Sequence, residues 1–352
     1  MSWQDKLRQV EPYVAGEQPK ISNMIKLNTN ENPYGPSDRV KEVLKEIDIE
    51  KLKLYPNSDG EELRHALADY HGLKDDQVFL GNGSDEVLAL TFLTFFNGKE
   101  PVLFPNISYS FYPVYCDLYQ MSYNEVLLDQ DFKINVEDFK QPNSGIIFPN
   151  PNAPTGVYMP LDQVEEILKA NQDVVVIVDE AYVDFAGPSA LELLDKYENL
   201  LVVQTFSKSR SMAGMRIGFA MGHPDLIRAL NDVKYSYNSY TMNLPSLLAG
   251  VEAVKDKEYF EKTIEKIVAT RERAKKRLTE LGFTFPNSQS NFIFASHKSV
   301  PAGKIFEALK KEQIYVRYFK TPGLDNSLRI SIGTDEEMDT LFRFLEAYLP
   351  NA

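Results

Sequence analysis

Five continuous apolar runs, separated by segments with helical spacing, constrain the fold of this chain most strongly. The segments between them, as at 161–170 and 226–233, place apolar residues three and four positions apart, as amphipathic helices do. Strands that are apolar throughout are buried on both faces, and their alternation with helices predicts an α/β fold with a mostly parallel sheet. The runs cover residues 102–104, 145–148, 174–178, 200–203 and 217–221.

The loops that follow these runs combine polar and aromatic residues. Ligands of parallel sheets bind at the carboxyl ends of the strands, so we expect these loops to carry the chemistry. One loop holds Lys208 between two serines, and a lysine beside apolar strands can attack a carbonyl to form a Schiff base. The other loops offer an aromatic ring, an amide, and a carboxylate with a phenol, which are Tyr109, Asn152, and Asp179 with Tyr182.

A glycine-rich turn at 81–85 joins a short apolar strand, which begins at Val78, to a helical pattern. Free backbone N–H groups at such a helix N-terminus bind phosphate. Arg216 and Ser207 would also suit a phosphate, because a guanidinium fork and a hydroxyl match its oxygens. The turn and the lysine loop together therefore predict a phosphate site.

Composition excludes several other classes of protein. The chain has 352 residues with 38 Lys and Arg against 51 Asp and Glu, a net charge of −13, which argues against nucleic acid and anionic membranes. Its single cysteine, Cys116, fits a reducing compartment. The charged N-terminus does not resemble a signal peptide, and no apolar run is long enough to span a bilayer. We expect a cytoplasmic protein of the size of an enzyme.

The pattern changes near residue 245. Beyond that point short strands mix with long helices, which predicts a separate, smaller α+β domain. We expect an N-terminal arm (1–30) that joins the small domain, a large cofactor-binding domain (31–245) and a small C-terminal domain (246–352).

The order of four motifs, GNGSDE, PNPNAPTG, DEAYVDF and SKSRSMAGMRIGF, resembles the fold-type I, aspartate-aminotransferase-like enzymes. With LNTNENPYGPS and SLRISIGT the chain is more similar to the histidinol-phosphate aminotransferase family. The resemblance implies pyridoxal 5'-phosphate as the cofactor, with no metal. It also implies a transaminase that interconverts histidinol phosphate plus 2-oxoglutarate and imidazole acetol phosphate plus glutamate.

The resemblance also assigns roles to cofactor-binding residues. It implies that Lys208 forms the Schiff base and carries the proton, and that Asp179 pairs with the pyridinium nitrogen. Tyr182 and Asn152 would meet the phenolic oxygen, and Tyr109 would stack on the ring. The phosphate would be held by Gly83, Ser84, Asp85, Ser207 and Arg216, and by Tyr55 from the other subunit of a homodimer.

For the substrate, the resemblance implies that Arg329 binds the α-carboxylate, and Arg317 is the candidate for the phosphate end. Tyr13, Asn30 and Asn32 are candidates for the groups that face the imidazole. Two positions depart from the family pattern. Ala153 stands where relatives often have the asparagine before Pro-Thr-Gly, so Asn152 takes the amide role, and a longer aromatic loop favours Tyr109 over Tyr112.

Three other interpretations stay open at this level. An aromatic amino-acid transaminase and a threonine-phosphate-type decarboxylase share the same scaffold. A transcription regulator with an aminotransferase-like body is disfavoured, because only about 26 residues precede the LNTNENP motif, too few for a DNA-binding domain.

Overall fold

Two sheets organise the described part of the chain, which is residues 2–14, 16–20 and 23–352 of a computed structural model. The larger sheet has seven strands in the order β2-β8-β7-β6-β5-β3-β4. Its strands are β2 (Val78–Gly81), β3 (Val102–Pro105), β4 (Tyr123–Val126), β5 (Gly145–Pro149), β6 (Val176–Asp179), β7 (Leu200–Thr205) and β8 (Gly218–Gly222).

The predicted class of this sheet is confirmed. Strands β4, β3, β5, β6 and β7 run parallel to one another, whereas β8 is antiparallel to both β7 and β2. Every residue of the six strands other than β4 is buried. The sequence analysis did not predict strand β4. This strand lies at the edge of the sheet and buries only Val126, so it has no continuous apolar run.

Helices cover the larger sheet and surround the smaller one. Among the described residues, no helix is both long enough and apolar enough to cross a bilayer. The helices are α1 (Asp38–Lys45), α2 (Glu61–His71), α3 (Ser84–Phe95), α4 (Phe111–Tyr119), α5 (Leu161–Ala170), α6 (Pro224–Tyr237), α7 (Leu244–Lys255), α8 (Lys257–Glu280), α9 (Ala302–Lys311) and α10 (Asp335–Tyr348).

The smaller sheet has the strand order β1-β11-β12-β10-β9 and its own apolar core. Strand β1 pairs in parallel with β11, so the N-terminal segment belongs to this sheet, while the other pairs are antiparallel. Residues 1, 15, 21 and 22 of the predicted N-terminal arm lie outside the described residues. The strands are β1 (Ile25–Leu27), β9 (Phe283–Thr284), β10 (Phe292–His297), β11 (Ile314–Tyr318) and β12 (Leu328–Ser331).

Helix α7 begins at the predicted boundary between the domains, but its buried face contributes to the core of the larger sheet. Helix α8 instead contributes Ile267, Ala274 and Leu278 to the core of the smaller sheet. The change of packing partner therefore comes within the first turns of α8, because the centroid of the Phe260 ring still lies 4.2 Å from the Arg210 guanidinium on the lysine loop.

The register of the larger sheet positions the functional loops. Pro149 at the end of β5 is the neighbour of Asp179 at the end of β6, and Asp179 is in turn the neighbour of Val203 on β7. Because these strands are parallel, the loops that follow them leave the same edge of the sheet side by side.

Candidate active site

Lys208 lies on the loop that follows β7, at the carboxyl edge of the larger sheet. Its Nζ donates a hydrogen bond of 3.1 Å to the backbone carbonyl of Thr29 and lies 5.8 Å from the centroid of the Tyr182 ring. Lys208 lines a cavity of about 220 Å³. Eight predicted site residues line it together: Ser84, Asp85, Tyr109, Asp179, Tyr182, Ser207, Lys208 and Arg216.

The carboxylate of Asp179, the last residue of β6, is buried in the wall of this cavity. Burial raises the pKa of Asp179 to about 6, although hydrogen bonds from the Tyr112 hydroxyl and the Ala181 N–H favour the charged form. The carboxyl group is therefore mostly ionised at neutral pH. A buried carboxylate of this kind suits a cationic N–H partner, such as a protonated ring nitrogen.

Two tyrosines at the start of α4 have different surroundings. Tyr109 lines the cavity, and its hydroxyl donates to Oδ1 of Asp85 at 2.7 Å. Tyr112 is completely buried, and its hydroxyl donates to Oδ2 of Asp179 at 2.9 Å. The structure thus brings Tyr109, the residue chosen from the sequence, rather than Tyr112 to the cavity. Tyr112 instead holds the predicted partner of the pyridine nitrogen.

One end of the cavity is built for an anion. Gly83 has a φ of +83°, and a Cβ at that position would collide with the Arg216 guanidinium. Nη2 of Arg216 lies 3.0 Å from Oδ2 of Asp85. The backbone N–H groups of Ser84 and Asp85 lie in the first turn of α3, where no carbonyl of the helix can accept them. These N–H groups and the guanidinium fit a phosphate, whereas the Asp85 carboxylate itself serves to hold Arg216 and Tyr109.

Thr205 fixes the position of Ser207 beside this end. The Ser207 N–H donates to Oγ1 of Thr205 at 3.1 Å, and the hydroxyl oxygens of the two residues are 3.0 Å apart. Gly218 lets the adjoining backbones approach, because a Cβ there would overlap Gly83 and the N atom of Ser84. Thr205, which the sequence analysis did not single out, therefore joins the lysine loop to the predicted phosphate end.

Asn152 is not brought to the cavity that Lys208 lines. Its Nδ2 donates to the Ile107 carbonyl at 3.0 Å and to Oγ1 of Thr155 at 2.9 Å, and the side chain lines a neighbouring cavity. The neighbouring residue Ala153 lines the Lys208 cavity instead. The geometry therefore does not support the predicted contact of Asn152 with the phenolic oxygen.

The three candidates for the imidazole pocket lie outside the residues that line the cavity. Asn30 is buried behind Tyr182, and its Nδ2 donates to the Tyr182 hydroxyl at 3.0 Å. Asn32 donates to the backbone carbonyl of Ser209 at 2.9 Å, so it supports the lysine loop. The Tyr13 ring stacks on Phe111 with 4.1 Å between centroids.

Tyr55 does not reach the cavity of its own chain. It is 80% exposed and stacks on Tyr240, with ring centroids 4.4 Å apart. The location is compatible with the predicted role across a subunit interface, because the same region exposes other large apolar side chains. These are Ile49, Leu52, Leu54, Tyr237 and Tyr240.

Arg317 and Arg329 form a cationic pair on the smaller sheet. Nη2 of Arg329 donates to the Asn28 carbonyl at 3.2 Å, and among the described residues its buried Nε has no hydrogen-bond partner. Burial lowers the pKa of Arg329, and the charge of Arg317 adds to this effect. Neither guanidinium forms an ion pair within the described ranges, and both lie within 6 Å of the Phe319 ring, at 5.4 and 5.6 Å. Two unpaired cations in this position suit an anionic substrate group.

Glu31 also lines the cavity, although sequence reasoning gave it no role. Burial raises the pKa of Glu31, but hydrogen bonds from Lys26 and Thr29 outweigh this effect and leave its pKa below the ordinary value. The LNTNENP motif was the available signal, since Glu31 lies inside it.

The donors around the cavity fit pyridoxal phosphate. An amine for its aldehyde, a buried carboxylate for its ring nitrogen and an anion-binding end for its phosphate all line the same space. The missing side chain of Gly83 belongs to the anion-binding end, because it lets the Arg216 guanidinium lie against the turn.

A family model for class I and II aminotransferases matches residues 22–345. The chain belongs to this aminotransferase family. It is 51% identical over 351 residues to a histidinol-phosphate aminotransferase from Lactococcus lactis subsp. cremoris strain SK11, with 100% of this chain and 99% of the relative covered. Enzymes of the family depend on pyridoxal phosphate, so the expected cofactor and the expected enzyme class are confirmed.

Solved aminotransferase structures share the fold. The histidinol-phosphate aminotransferase of Sinorhizobium meliloti, determined with pyridoxal 5'-phosphate, matches with a TM-score of 0.83 and 24% identity, covering 93% of this chain and 90% of that one. The aspartate aminotransferase of Thermus thermophilus, determined with maleate, matches with a TM-score of 0.79 and 20% identity, covering 92% and 91%. The predicted aspartate-aminotransferase-like fold is therefore confirmed.

Proposed function

We propose that this chain transfers the amino group between histidinol phosphate and 2-oxoglutarate, giving imidazole acetol phosphate and glutamate. The observation that carries the proposal is the combination of the Lys208 cavity with two unpaired arginines on the adjoining sheet. Identity of 51% over nearly the full length of a relative with this name supports the same substrates.

In the proposed mechanism, bound pyridoxal phosphate supplies the electron sink that makes the α-proton of the substrate acidic. Lys208 takes that proton on Nζ and delivers it when the amino group is transferred. Asp179 keeps the ring nitrogen protonated, because a buried carboxylate stabilises the adjacent cationic N–H. Tyr182 would donate its hydroxyl hydrogen to the phenolic oxygen of the cofactor, and Tyr109 would stack on the cofactor ring.

We assign the phosphate of the cofactor to the end of the cavity formed by Gly83, Ser84, Asp85, Ser207 and Arg216. The support is the group of first-turn N–H groups of α3 beside a guanidinium. Arg216 would hold the phosphate with the guanidinium N–H groups that Asp85 does not use, because Asp85 accepts from Nη2 alone.

Arg329 and Arg317 are assigned to the substrate. Glutamate carries an α-carboxylate. Histidinol phosphate carries a phosphorylated hydroxymethyl group at the corresponding position. A pair of neighbouring guanidiniums accepts either anion, and the second arginine adds most to the more highly charged phosphate. Arg329 is therefore assigned to the carboxylate of glutamate, and Arg317 to the phosphate end of histidinol phosphate.

The active unit in this proposal is a homodimer in the cytoplasm. The exposed apolar side chains around Tyr55 support an interface, since large exposed apolar patches mark association surfaces. Tyr55 then contributes its hydroxyl to the phosphate site of the other subunit. The single cysteine, which is buried, supports a reducing compartment.

A half-reaction experiment tests the substrate. The visible spectrum of the purified, cofactor-loaded protein is followed while histidinol phosphate, glutamate, phenylalanine and tyrosine are added separately. Conversion by histidinol phosphate at far lower concentration than by the aromatic amino acids is expected. Preference for phenylalanine or tyrosine would show that the substrate is an aromatic amino acid. Release of CO₂ without amino transfer would show that the enzyme is a decarboxylase.

A further inference from the structure

The side chain of Asn30 is buried and hydrogen-bonded on both of its polar ends. Its Nδ2 donates to the Tyr182 hydroxyl oxygen at 3.0 Å, and its Oδ1 accepts the Ser331 hydroxyl at 3.0 Å. The backbone of Asn30 is held as well, because its N–H donates to Oγ of Ser331 at 2.9 Å and its carbonyl accepts Nδ2 of Asn291 at 2.8 Å. Asn30 thus joins a residue of the cavity to the smaller sheet.

These bonds fix which way the Tyr182 hydroxyl can donate. An amide nitrogen donates but does not accept, so the hydrogen of the hydroxyl cannot point at Asn30. The opposite orientation of the amide would leave the Ser331 hydroxyl without the acceptor that Oδ1 provides. Within the described ranges, the Tyr182 hydroxyl has no protein acceptor, and Tyr182 lines the cavity beside Lys208. Its hydrogen is therefore available to a group inside the cavity.

The Asn152 amide, which the sequence analysis expected inside the cavity, makes its hydrogen bonds outside it. Asn152 donates to Ile107 and Thr155, and the apolar Ala153 stands where its side chain was expected. The Tyr109 hydroxyl is already donated to Asp85. Tyr182 is consequently the phenol that remains to donate to an acceptor next to Lys208.

We propose that Asn30 is a positioning residue that acts through Tyr182, holding the hydroxyl so that its hydrogen points toward the phenolic oxygen of the cofactor. Asn30 does not touch the cofactor or the substrate. This inference deepens the proposed function and rests on its assignment of Tyr182.

The test uses the pH dependence of the visible band of the cofactor-loaded enzyme, measured without substrate. A donor to the phenolic oxygen favours the form with more negative charge on that oxygen. Asn30→Ala should therefore raise the pH midpoint of the band by roughly one unit, the scale expected when a hydrogen bond to a charged group is lost. The charged groups that face Tyr182 or share its cavity are Lys208, Arg329 from β12, and the cavity residues Glu31, Asp85, Asp179 and Arg216, and Asn30→Ala changes none of them.

A double-mutant cycle separates positioning from simple destabilisation. Tyr182→Phe should raise the midpoint by itself, and adding Asn30→Ala to it should change the midpoint no further, because the group through which Asn30 acts is gone. Asn171→Ala is the matched control, since Asn171 is also a buried asparagine whose Nδ2 donates to two carbonyls, at 3.1 and 2.8 Å, away from the cavity. It should lower the melting temperature and leave the midpoint unchanged.

The conservative variant Asn30→Asp adds a second readout. A carboxylate would accept the Tyr182 hydroxyl and draw its hydrogen away from the cavity, and its negative charge acts in the same direction, so the midpoint should rise although the size of the side chain is kept. An unshifted midpoint in Asn30→Ala and Asn30→Asp would overturn the proposal. So would an equal shift from Asn30→Ala with and without the Tyr182 hydroxyl. Because no substrate is present, these results are independent of whether histidinol phosphate is the amino donor.

Discussion

Arg317 on β11 lies directly opposite Arg329 on β12 in the antiparallel register of the smaller sheet. Directly opposed residues project from the same face of a sheet, so two positive charges share one surface. Like charges in this arrangement destabilise a sheet, and neither arginine has an acidic partner among the described residues. The arrangement is explained if an anionic ligand supplies the missing counter-charge.

Replacing Arg317 should separate the two substrates. Arg317→Ala is expected to raise KM for histidinol phosphate by about 10- to 100-fold, since a hydrogen bond between charged groups contributes ~1.5–3 kcal/mol. KM for glutamate should change less, because Arg329 still binds its carboxylate. Steady-state kinetics with each substrate check this, with Arg343→Ala on the exposed face of α10 as the control. Equal increases for both substrates would show that Arg317 does not select the phosphate.

Tyr112 should control the charge of Asp179. Its hydroxyl favours the ionised carboxylate, so Tyr112→Phe should raise the pKa of Asp179 further above its ordinary value. The protonated fraction of the Asp179 carboxyl group would then increase more at pH 6 than at pH 8. We expect the affinity for pyridoxal phosphate to fall by about tenfold, and more at pH 6 than at pH 8.

Titration of cofactor binding at the two pH values measures this effect. Tyr115→Phe is the matched control, because Tyr115 is a neighbouring buried tyrosine whose hydroxyl donates to the backbone carbonyl of Asp85 at 3.0 Å. The prediction fails if the two variants lose the same affinity at both pH values.

Glu180, next to Asp179, should make the cofactor-free protein less stable as the pH rises. Burial raises the pKa of Glu180 to about 7, although Ser189, Ala190 and Gln204 donate hydrogen bonds to the carboxylate. The folded state therefore holds a proton that the unfolded state loses near pH 4.5. This contribution is complete below about pH 4.5 and is lost as the pH rises through about 7.

Chemical denaturation at pH 5 and pH 8 checks the sign. From the lower to the higher pH, the wild-type protein should lose on the order of 1–3 kcal/mol more unfolding free energy than Glu180→Gln, which cannot ionise. Parallel pH dependences for the two proteins would mean that Glu180 does not titrate in this range.

Tyr55 should act at the site of the other subunit. Tyr55→Phe is expected to weaken cofactor binding, because it removes a hydroxyl from the phosphate end. Lys208→Ala should be inactive, since the amine that carries the proton is lost, a role that typically contributes 10²- to 10⁴-fold.

Mixing the two variants distinguishes the subunits. In a hybrid dimer, the chain with an intact Lys208 receives an intact Tyr55 from its inactive partner. At limiting cofactor concentration, mixing should therefore raise activity above that of Tyr55→Phe alone. If subunit exchange is verified and mixing does not raise the activity, Tyr55 acts in its own chain or has no role in cofactor binding.

The sequence was informative wherever a side chain follows a buried strand. Asp179 and Lys208 could be located from sequence because apolar runs predict β6 and β7, and parallel strands present their carboxyl ends at a common edge. The same argument placed the Gly83 turn between a strand and a helix. These inferences use the periodicity of regular structure, which local composition determines.

Side-chain direction in the loops was not predictable in this way. Asn152 and Ala153 are adjacent, and only the structure shows that Ala153 rather than Asn152 lines the Lys208 cavity. Asn30 was a candidate for the substrate pocket because its motif indicated one, but its direction depends on Ser331 and Asn291, which are about 260 to 300 residues away. Contacts over such separations leave no periodic signal in the sequence.

The parallel pairing of β1 with β11 has a mechanical consequence. The three residues that follow β1 bond in succession to three different functional groups: the Asn28 carbonyl to the Arg329 guanidinium, the Thr29 carbonyl to the Lys208 amine, and the Asn30 amide to the Tyr182 phenol. Because β1 is hydrogen-bonded into the smaller sheet, any displacement of that sheet moves all three contacts together. Three consecutive backbone positions thus couple the Arg329 guanidinium, the Lys208 amine and the Tyr182 hydroxyl to the position of the smaller sheet.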